Sequence, residues 1–357
     1  MSSPFPPLPV ANTVVLETPA VLRLAARAHR ALAELKGAAA TMPNETILID
    51  TLALQEAQDS SAIEDIITTE DQLFQGDLIS GHFPTAAAKE VHHYAGALKI
   101  GLARVREQRF LRFANVLDIQ AALEQNRAGL RWLSGTVLKN QQTGAVVYEP
   151  PQDPAVIEQL MGNFLEYFHR AEPGDADPLV QMAVLHYQFE SIHPFYDGNG
   201  RTGRILNLLY LVLHGLLDLP VLYLSRYIVR HKQDYYRGLQ SVRAEEAWEG
   251  WILFMLKAVE ETSRETLTKV QGIRALMQLT KLRLRNELPK IYSQDLLNNL
   301  FRYPYTKIEF IERDLGVSRP TATKYLGALE AAGFVRKMKV GRMNFYINEP
   351  LFALLSQ

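Results

Sequence analysis

Apolar residues recur at helical spacing along most of the chain. From 18 to 40, Val21, Leu22, Leu24, Ala25, Ala28, Leu32 and Leu35 form one stripe, which predicts an amphipathic helix. The same reading places helices over 48–66 and 85–108. It then places one over 177–192, with Leu179, Val180, Met182, Ala183, Leu185, Phe189 and Ile192 as its apolar set. Further helices are predicted over 201–217, 232–244 and 249–284. Helix follows helix across short polar joints, so the expected fold is mainly α, not a βαβ succession. One stretch breaks the pattern. In WLSGTVLKNQQTGAVVYEP, residues 132–150, two β-prone pieces flank the polar turn KNQQTG, and Pro150, Pro151 and Pro154 stop the second piece. A lone hairpin is marginal in water and must lie on the helical body. Its plainest reading is a connector.

The pattern shifts near the end. KLRLRNELPK, from Lys281 to Lys290, is charged and ends near a proline, as an interdomain joint does. Beyond it the order is helix, helix, a turn at Gly316, helix, then two strands around Gly341 and Arg342. This is the order of a winged helix-turn-helix, with 319–332 as the recognition helix. The expected organisation is an N-terminal helical extension over 1–112, a central helical core over 113–284 and the winged unit over 285–357. The first residues, MSSPFPPLPVANTVVLETP, carry five prolines and read as an extended arm.

Composition narrows the function classes. The 357 residues carry a formal net charge of -1, so bulk charge does not select nucleic acid or anionic membrane. There is no cysteine, which excludes disulfides, thiolate metal sites and cysteine nucleophiles and fits a cytoplasmic setting. The most apolar run, from Ile205, is interrupted by Asn207, His214, Gly215, Asp218 and Pro220 and is expected to be a core helix, with no membrane partner.

The densest chemistry lies at residues 191–204, SIHPFYDGNGRTGR. Gly198, Asn199 and Gly200 accept positive φ and precede a predicted helix, so their N–H groups and the helix N-terminus make an anion nest. Arg201 and Arg204 stand three apart on one helical face, where both reach one polyphosphate. Asp197 at the mouth of the nest would repel phosphate unless Mg²⁺ joins the two. His193, at the end of the preceding helix, can take a proton from an attacking hydroxyl.

HPFYDGNGRTGR resembles the Fic family signature, H-P-F-x-[DE]-G-N-G-R-x-x-R, at every defined position. The hairpin, the helical body and the later YYRGL and WEGWILFML segments resemble the Fic proteins that carry an N-terminal helical extension and a C-terminal winged helix. The resemblance implies a protein adenylyltransferase, which moves AMP from Mg·ATP to a Ser, Thr or Tyr hydroxyl of a protein, itself included. It implies His193 as general base, Phe195 as anchor and Asp197 as the Mg²⁺ ligand. Gly198, Asn199 and Gly200 would hold the α- and β-phosphates, Arg201 the β-phosphate and Arg204 the γ-phosphate. It makes 136–148 a flap that docks the target, and it implies self-association as a homodimer.

Upstream, EAQDSSAIEDIIT resembles the inhibitory motif [ST]-x-x-x-E-[GN], with Ser60 and Glu64 in register and Asp65 in place of Gly or Asn. The resemblance implies that Glu64 pairs with Arg204 and blocks the γ-phosphate; the plainer reading is a solvated carboxylate. Asn207, Tyr235 and Tyr236 are candidates for the nucleoside pocket, against the alternative that the tyrosines are core. His186, His92 and His93 read as structural. From Lys290 onward ten Lys/Arg face six Asp/Glu, a mild excess that leaves DNA and protein both open as partners of the winged unit. Two alternatives stand beside the transferase: a DNA-binding regulator whose Fic body senses nucleotide, and a de-AMPylating enzyme.

Overall fold

Polar caps followed by proline start three of the helices. Thr18–Pro19, Asp153–Pro154 and Asp177–Pro178 each put a side-chain oxygen on a first-turn N–H, with proline where no N–H is needed. The structure, a computed structural model, describes residues 8, 16–69, 72–73, 83, 85–139, 144–340 and 343–356. Most of the expected arm, the hairpin turn at 140–143 and the wing tip at 341–342 lie outside the described residues.

The helical body comprises α1 (Pro19–Ala40), α2 (Glu45–Ile63), α3 (Ala86–Gln108), α4 (Phe113–Glu124), α5 (Pro154–Phe168), α6 (Pro178–Ile192), α7 (Asn199–Leu213), α8 (Leu224–Arg230), α9 (Lys232–Glu245) and α10 (Trp248–Glu287). The hairpin is β1 (Leu138–Lys139) and β2 (Val146–Tyr148), antiparallel and shorter than the β-prone stretches that predict it. α7 is the axis of the body: every residue from Arg201 to Val212 is buried, packed by α3, α4 and α6. Gly101 on α3 allows that approach, because a Cβ there would lie 2.5 Å from Leu209 Cδ1. α10 packs along α1, and its Trp251 donates to the Ala183 carbonyl of α6 at 2.8 Å. Among the described residues no helix is long and apolar enough to cross a membrane.

The joint expected at Lys281–Lys290 is mostly helix. α10 runs without a break to Glu287 because the stretch is rich in helix formers and Arg283 pairs with Glu287 one turn on, Nε to Oε1 at 2.9 Å. The C-terminal unit follows as α11 (Gln294–Arg302), β3 (Tyr305–Thr306), α12 (Ile308–Leu315), α13 (Arg319–Ala331), β4 (Arg336–Val340), β5 (Met343–Ile347) and α14 (Glu349–Leu355). Gly316 ends α12 at φ +65°, which gives the turn before α13. The sheet has three strands in the order β3-β5-β4. The helical spacing had not suggested β3 or α14.

α2 is buried on nearly all sides, including its polar residues. Asp50 accepts from Lys99 of α3 at 2.5 Å and from Arg302 of α11 at 2.8 Å. Gln55 donates to the Leu355 carbonyl of α14, and Glu56 accepts from the backbone and hydroxyl of Ser225 in α8. Burial without a strong counter-charge pushes the Glu56 carboxyl up to about 8. The Arg302 and Leu355 contacts fasten α2 to the C-terminal unit. Replacing Asp50 by Ala leaves two partly exposed cations without their shared anion. Urea unfolding should then show a loss of roughly 1–3 kcal/mol; an unchanged midpoint would mean the two ion pairs contribute nothing.

Candidate active site

The loop between α6 and α7 is braced by its own side chains. His193 ends α6 in the left-handed region, φ +47°, and its N–H bonds the Phe189 carbonyl at 2.9 Å. Phe195 is fully buried. Asn199 accepts from the Phe195 N–H and donates to the Phe195 carbonyl, both at 2.8 Å. The Asn199 side chain is thus spent bracing the loop, and its main-chain N–H is what remains for the expected nest. Gly198 caps α7 at φ +75°, and α7 starts at Asn199, earlier than the expected Arg201. The first N–H groups of α7 therefore open at the loop.

Asp197 is exposed, 75% for its side chain, and Oδ1 accepts from the Gly198 N–H at 2.7 Å. His193 is half-buried beside it. Desolvation lowers its pKa to about 4, helped by Arg131 and Arg243 and opposed by the Glu190 carbonyl and Asp197. The imidazole is neutral at pH 7 and can accept a proton. Arg131 is buried against the loop backbone: its N–H donates to the Pro194 carbonyl at 3.0 Å, and its Nε to the His193 carbonyl at 2.7 Å. Tyr196 accepts from the N–H groups of Trp132 and Leu133 at 2.7 and 3.1 Å, tying the start of the hairpin segment to the loop.

Both arginines are buried, and one carboxylate holds them together. Glu64 Oε1 lies 2.8 Å from Arg204 Nη2, and Oε2 lies 2.8 Å from Arg201 Nε. The expectation named Arg204 alone; Glu64 bridges the pair. Ser60 adds its hydroxyl to Arg204 Nε at 2.7 Å and its carbonyl to Nη2 at 2.9 Å. Glu64 lies over the first turn of α7, because a Cβ on Gly200 would come within 2.6 Å of Oε1. A carboxylate thus occupies the anion site of that helix end. The substitution at Asp65 is also explained. Asp65 adopts φ +62°, the conformation for which Gly or Asn is best suited and which Asp tolerates, and Lys232 pairs with it at 2.7 Å.

Family models match three stretches of the chain. The Fic/DOC family N-terminal model matches residues 22–103, the Fic/DOC family model residues 110–211, and the model for the protein adenylyltransferase SoFic-like C-terminal domain residues 276–351. The chain belongs to the Fic family. It is 30% identical over 160 residues to a probable protein adenylyltransferase of Aquifex aeolicus, across 42% of this chain and 43% of that protein. It is 31% identical over 112 residues to the protein adenylyltransferase Fic of Nematostella vectensis, across 31% of this chain and 25% of that one. The matches thus span less than half the length of these relatives. Among solved structures, a Fic family protein from Desulfovibrio desulfuricans shares the fold at a TM-score of 0.59 with 20% identity, over 93% of this chain and 96% of that one. Fic-1 of Caenorhabditis elegans aligns at 0.52 with 19% identity, over 72% and 75%.

Within the Fic core the three nucleoside candidates separate. Tyr235 is a core residue: it is 2% exposed and its hydroxyl meets His186 Nε2 at 3.0 Å. Asn207 is buried beside Phe164, Phe168 and Tyr210, in an interior gap with no room for a water. Both are corrections, since neither side chain faces an open cleft. Tyr236 is 46% exposed and lies within electrostatic range of Arg204, Glu190 and Glu64, so it remains at the site. His186 is structural, as expected. It stacks on Trp251, and desolvation takes its pKa down to about 3.

Arg201 also meets two carboxylates that the sequence reading missed. Nη1 bonds Glu90 at 3.1 Å, and Nη2 lies 2.9 Å from Glu124. Both come from distant helices and have no motif to flag them. At the end of α2, Asp65→Val should cost about 1–2 kcal/mol while Asp65→Gly stays within about 0.5 kcal/mol in thermal unfolding. Equal costs would show that the left-handed backbone carries no weight there.

Proposed function

We propose that this Fic protein is an adenylyltransferase that moves AMP from Mg·ATP to a protein hydroxyl, its own included, and that Glu64 restrains it. The observation that carries the reading is the single carboxylate bridging both signature arginines, beside a neutral His193. His193 takes the proton as the hydroxyl oxygen attacks the α-phosphorus; the bond from that phosphorus to the bridging oxygen breaks, and pyrophosphate leaves. The N–H groups of Gly198, Asn199 and Gly200 receive the phosphates, Arg201 the β-phosphate and Arg204 the γ-phosphate. Asp197 fits Mg²⁺: it is an exposed hard oxygen donor beside the anion nest, and such an ion is completed by phosphate and water rather than by a protein cage. The ion would neutralise charge on the departing pyrophosphate. While Glu64 holds Arg204, the γ-phosphate has no guanidinium of its own and ATP binds unproductively.

The hairpin suits target docking. Val146 and Val147 are both exposed, 57% and 44%, although they point to opposite faces. Tyr148 and the Val147 carbonyl tie β2 to α6 and α9, through the Ser191 carbonyl at 2.8 Å and Gln240 at 2.7 Å. A fixed hairpin with apolar residues on both faces invites an extended segment of a target protein. DNA is the weaker partner for the winged unit: Arg319 at the start of α13 is held by Glu309 and Glu312, and Arg336 by Glu349. A second copy of the chain stays within the proposal as a substrate and as a homodimer partner.

Two outcomes check the reading. With labelled ATP, Glu64→Gly should raise self-labelling roughly ten- to hundredfold, the scale of one charge-assisted hydrogen-bond partner. Adding His193→Ala should remove roughly a hundredfold or more of it. Equal labelling in all three proteins sinks the transferase. The pH profile follows from His193. The active form is the neutral imidazole, and its pKa is lowered to about 4. In the Glu64→Gly chain, activity at low nucleotide should therefore hold from pH 8 down to about 5 and fall only below that. A midpoint near 6.5, that of an ordinary histidine, would contradict the burial argument.

A further inference from the structure

Arg201 and Arg204 are held in different ways. Arg204 takes its partners from one helix, Ser60 and Glu64 at the end of α2. Arg201 has a close carboxylate on each of its three nitrogens, each from a different element, and a fourth, Asp197, 3.9 Å from Nη2. Nε meets Glu64, which caps α2; Nη1 meets Glu90 of α3; and Nη2 meets Glu124, the last residue of α4. If Glu64 withdraws, Arg204 keeps no carboxylate within ion-pair distance among the described residues. Arg201 still has Glu90 and Glu124 close by, and Asp197 at 3.9 Å.

We propose that Glu124, aided by Glu90, is the positioning residue for Arg201: it holds the guanidinium in one direction while Glu64 is exchanged for phosphate. Glu124 is the less screened charge, its side chain 12% exposed against 42% for Glu90, and it acts as a close ion pair, whereas Glu90 is the one of the two in hydrogen-bond geometry with the guanidinium. Its place depends on the loop. Glu124 Oε1 occupies the space a Cβ on Gly198 would need, so the glycine that caps α7 also admits the carboxylate. α4 thereby joins the loop to Arg201 independently of α2. The inhibitory helix can release without Arg201 swinging away, and the Nε edge that Glu64 covers is the edge exposed to the incoming nucleotide. Arg204 is the arginine whose partner changes, and Arg201 is the fixed one.

This inference rests on the adenylyltransferase reading, and the test separates the two. Self-labelling of the full-length Glu64→Gly chain is measured over a range of Mg·ATP concentrations, with Glu124→Ala, Glu124→Gln and Glu90→Ala added singly. A misdirected phosphate-binding group should lower the maximal rate of Glu124→Ala by roughly ten- to hundredfold and change the half-saturating Mg·ATP concentration by no more than about threefold. Glu124→Gln keeps an oxygen for Arg201 and should recover most of the rate. Glu90→Ala, at a more exposed position, should lose rate by a smaller factor. If Glu124→Ala fails to fold, the Gln and Glu90 variants carry the same test. The inference is overturned if the alanine variants label within twofold of the parent, if Gln fails to rescue a loss caused by Ala, or if the main effect is tighter nucleotide binding. The last result would make Glu124 a competitor of phosphate. A Glu64→Gly chain that takes no AMP at all overturns the transferase reading, and this inference with it.

Discussion

Two guanidiniums at the start of α7 are buried almost completely, and a buried charge needs a partner. In the resting chain that partner is the Glu64 carboxylate, one oxygen on each arginine. Burial works against the Arg204 charge, but Glu64, with smaller help from Tyr235 and Glu190, raises its pKa above the ordinary guanidinium value. Arg201 keeps other carboxylates, but Arg204 has none besides Glu64 among the described residues, so loss of Glu64 from Arg204 favours the arrival of another anion. On the proposed reading that anion is the polyphosphate of ATP, which a helix N-terminus and glycine loop suit. On that reading, restraint and substrate binding are two states of Arg204, exchanged between Glu64 and phosphate.

Glu64 is where it is because α2 is held from several sides. Asp50 is fastened to α3 and α11, Gln55 to α14, and Glu56 to α8. These ties sit on the same helix as Ser60 and Glu64, so the position of the carboxylate reflects the packing of the C-terminal unit as well as the loop. At the end of α2, Asp65 turns the chain through the left-handed region and is pinned by Lys232 at the start of α9. The same α9 carries Tyr236, the candidate nucleoside residue that stays at the site.

The loop was legible in the sequence because its parts are consecutive: the base, the carboxylate, the glycines and the arginines fall within fourteen positions, and helix geometry alone puts both arginines on one face. Apolar stripes placed the starts of the helices at Pro19 and Pro178 to within a residue for the same local reason. Glu90, Glu124 and Arg131 were not legible. They reach the loop from separate stretches of chain, and nothing in their neighbours' spacing sets them apart. Tyr235 and Tyr236 illustrate a finer limit: adjacent helical residues point about 100° apart, and only packing decides that the first enters the core and the second does not. β3 and α14 escaped because each is short and is stabilised by its partners, β5 for one and α10 for the other.

The most direct test compares how the chain binds ATP and ADP in the presence of Mg²⁺, by titration calorimetry. With Glu64 on Arg204, the γ-phosphate finds no guanidinium of its own, so the intact protein should bind the two nucleotides with similar affinity. In the Glu64→Gly protein ATP should gain on ADP by about tenfold or more, the effect of one charge-assisted contact. The same ATP-to-ADP ratio in both proteins would contradict the claim that Glu64 and the γ-phosphate compete for Arg204.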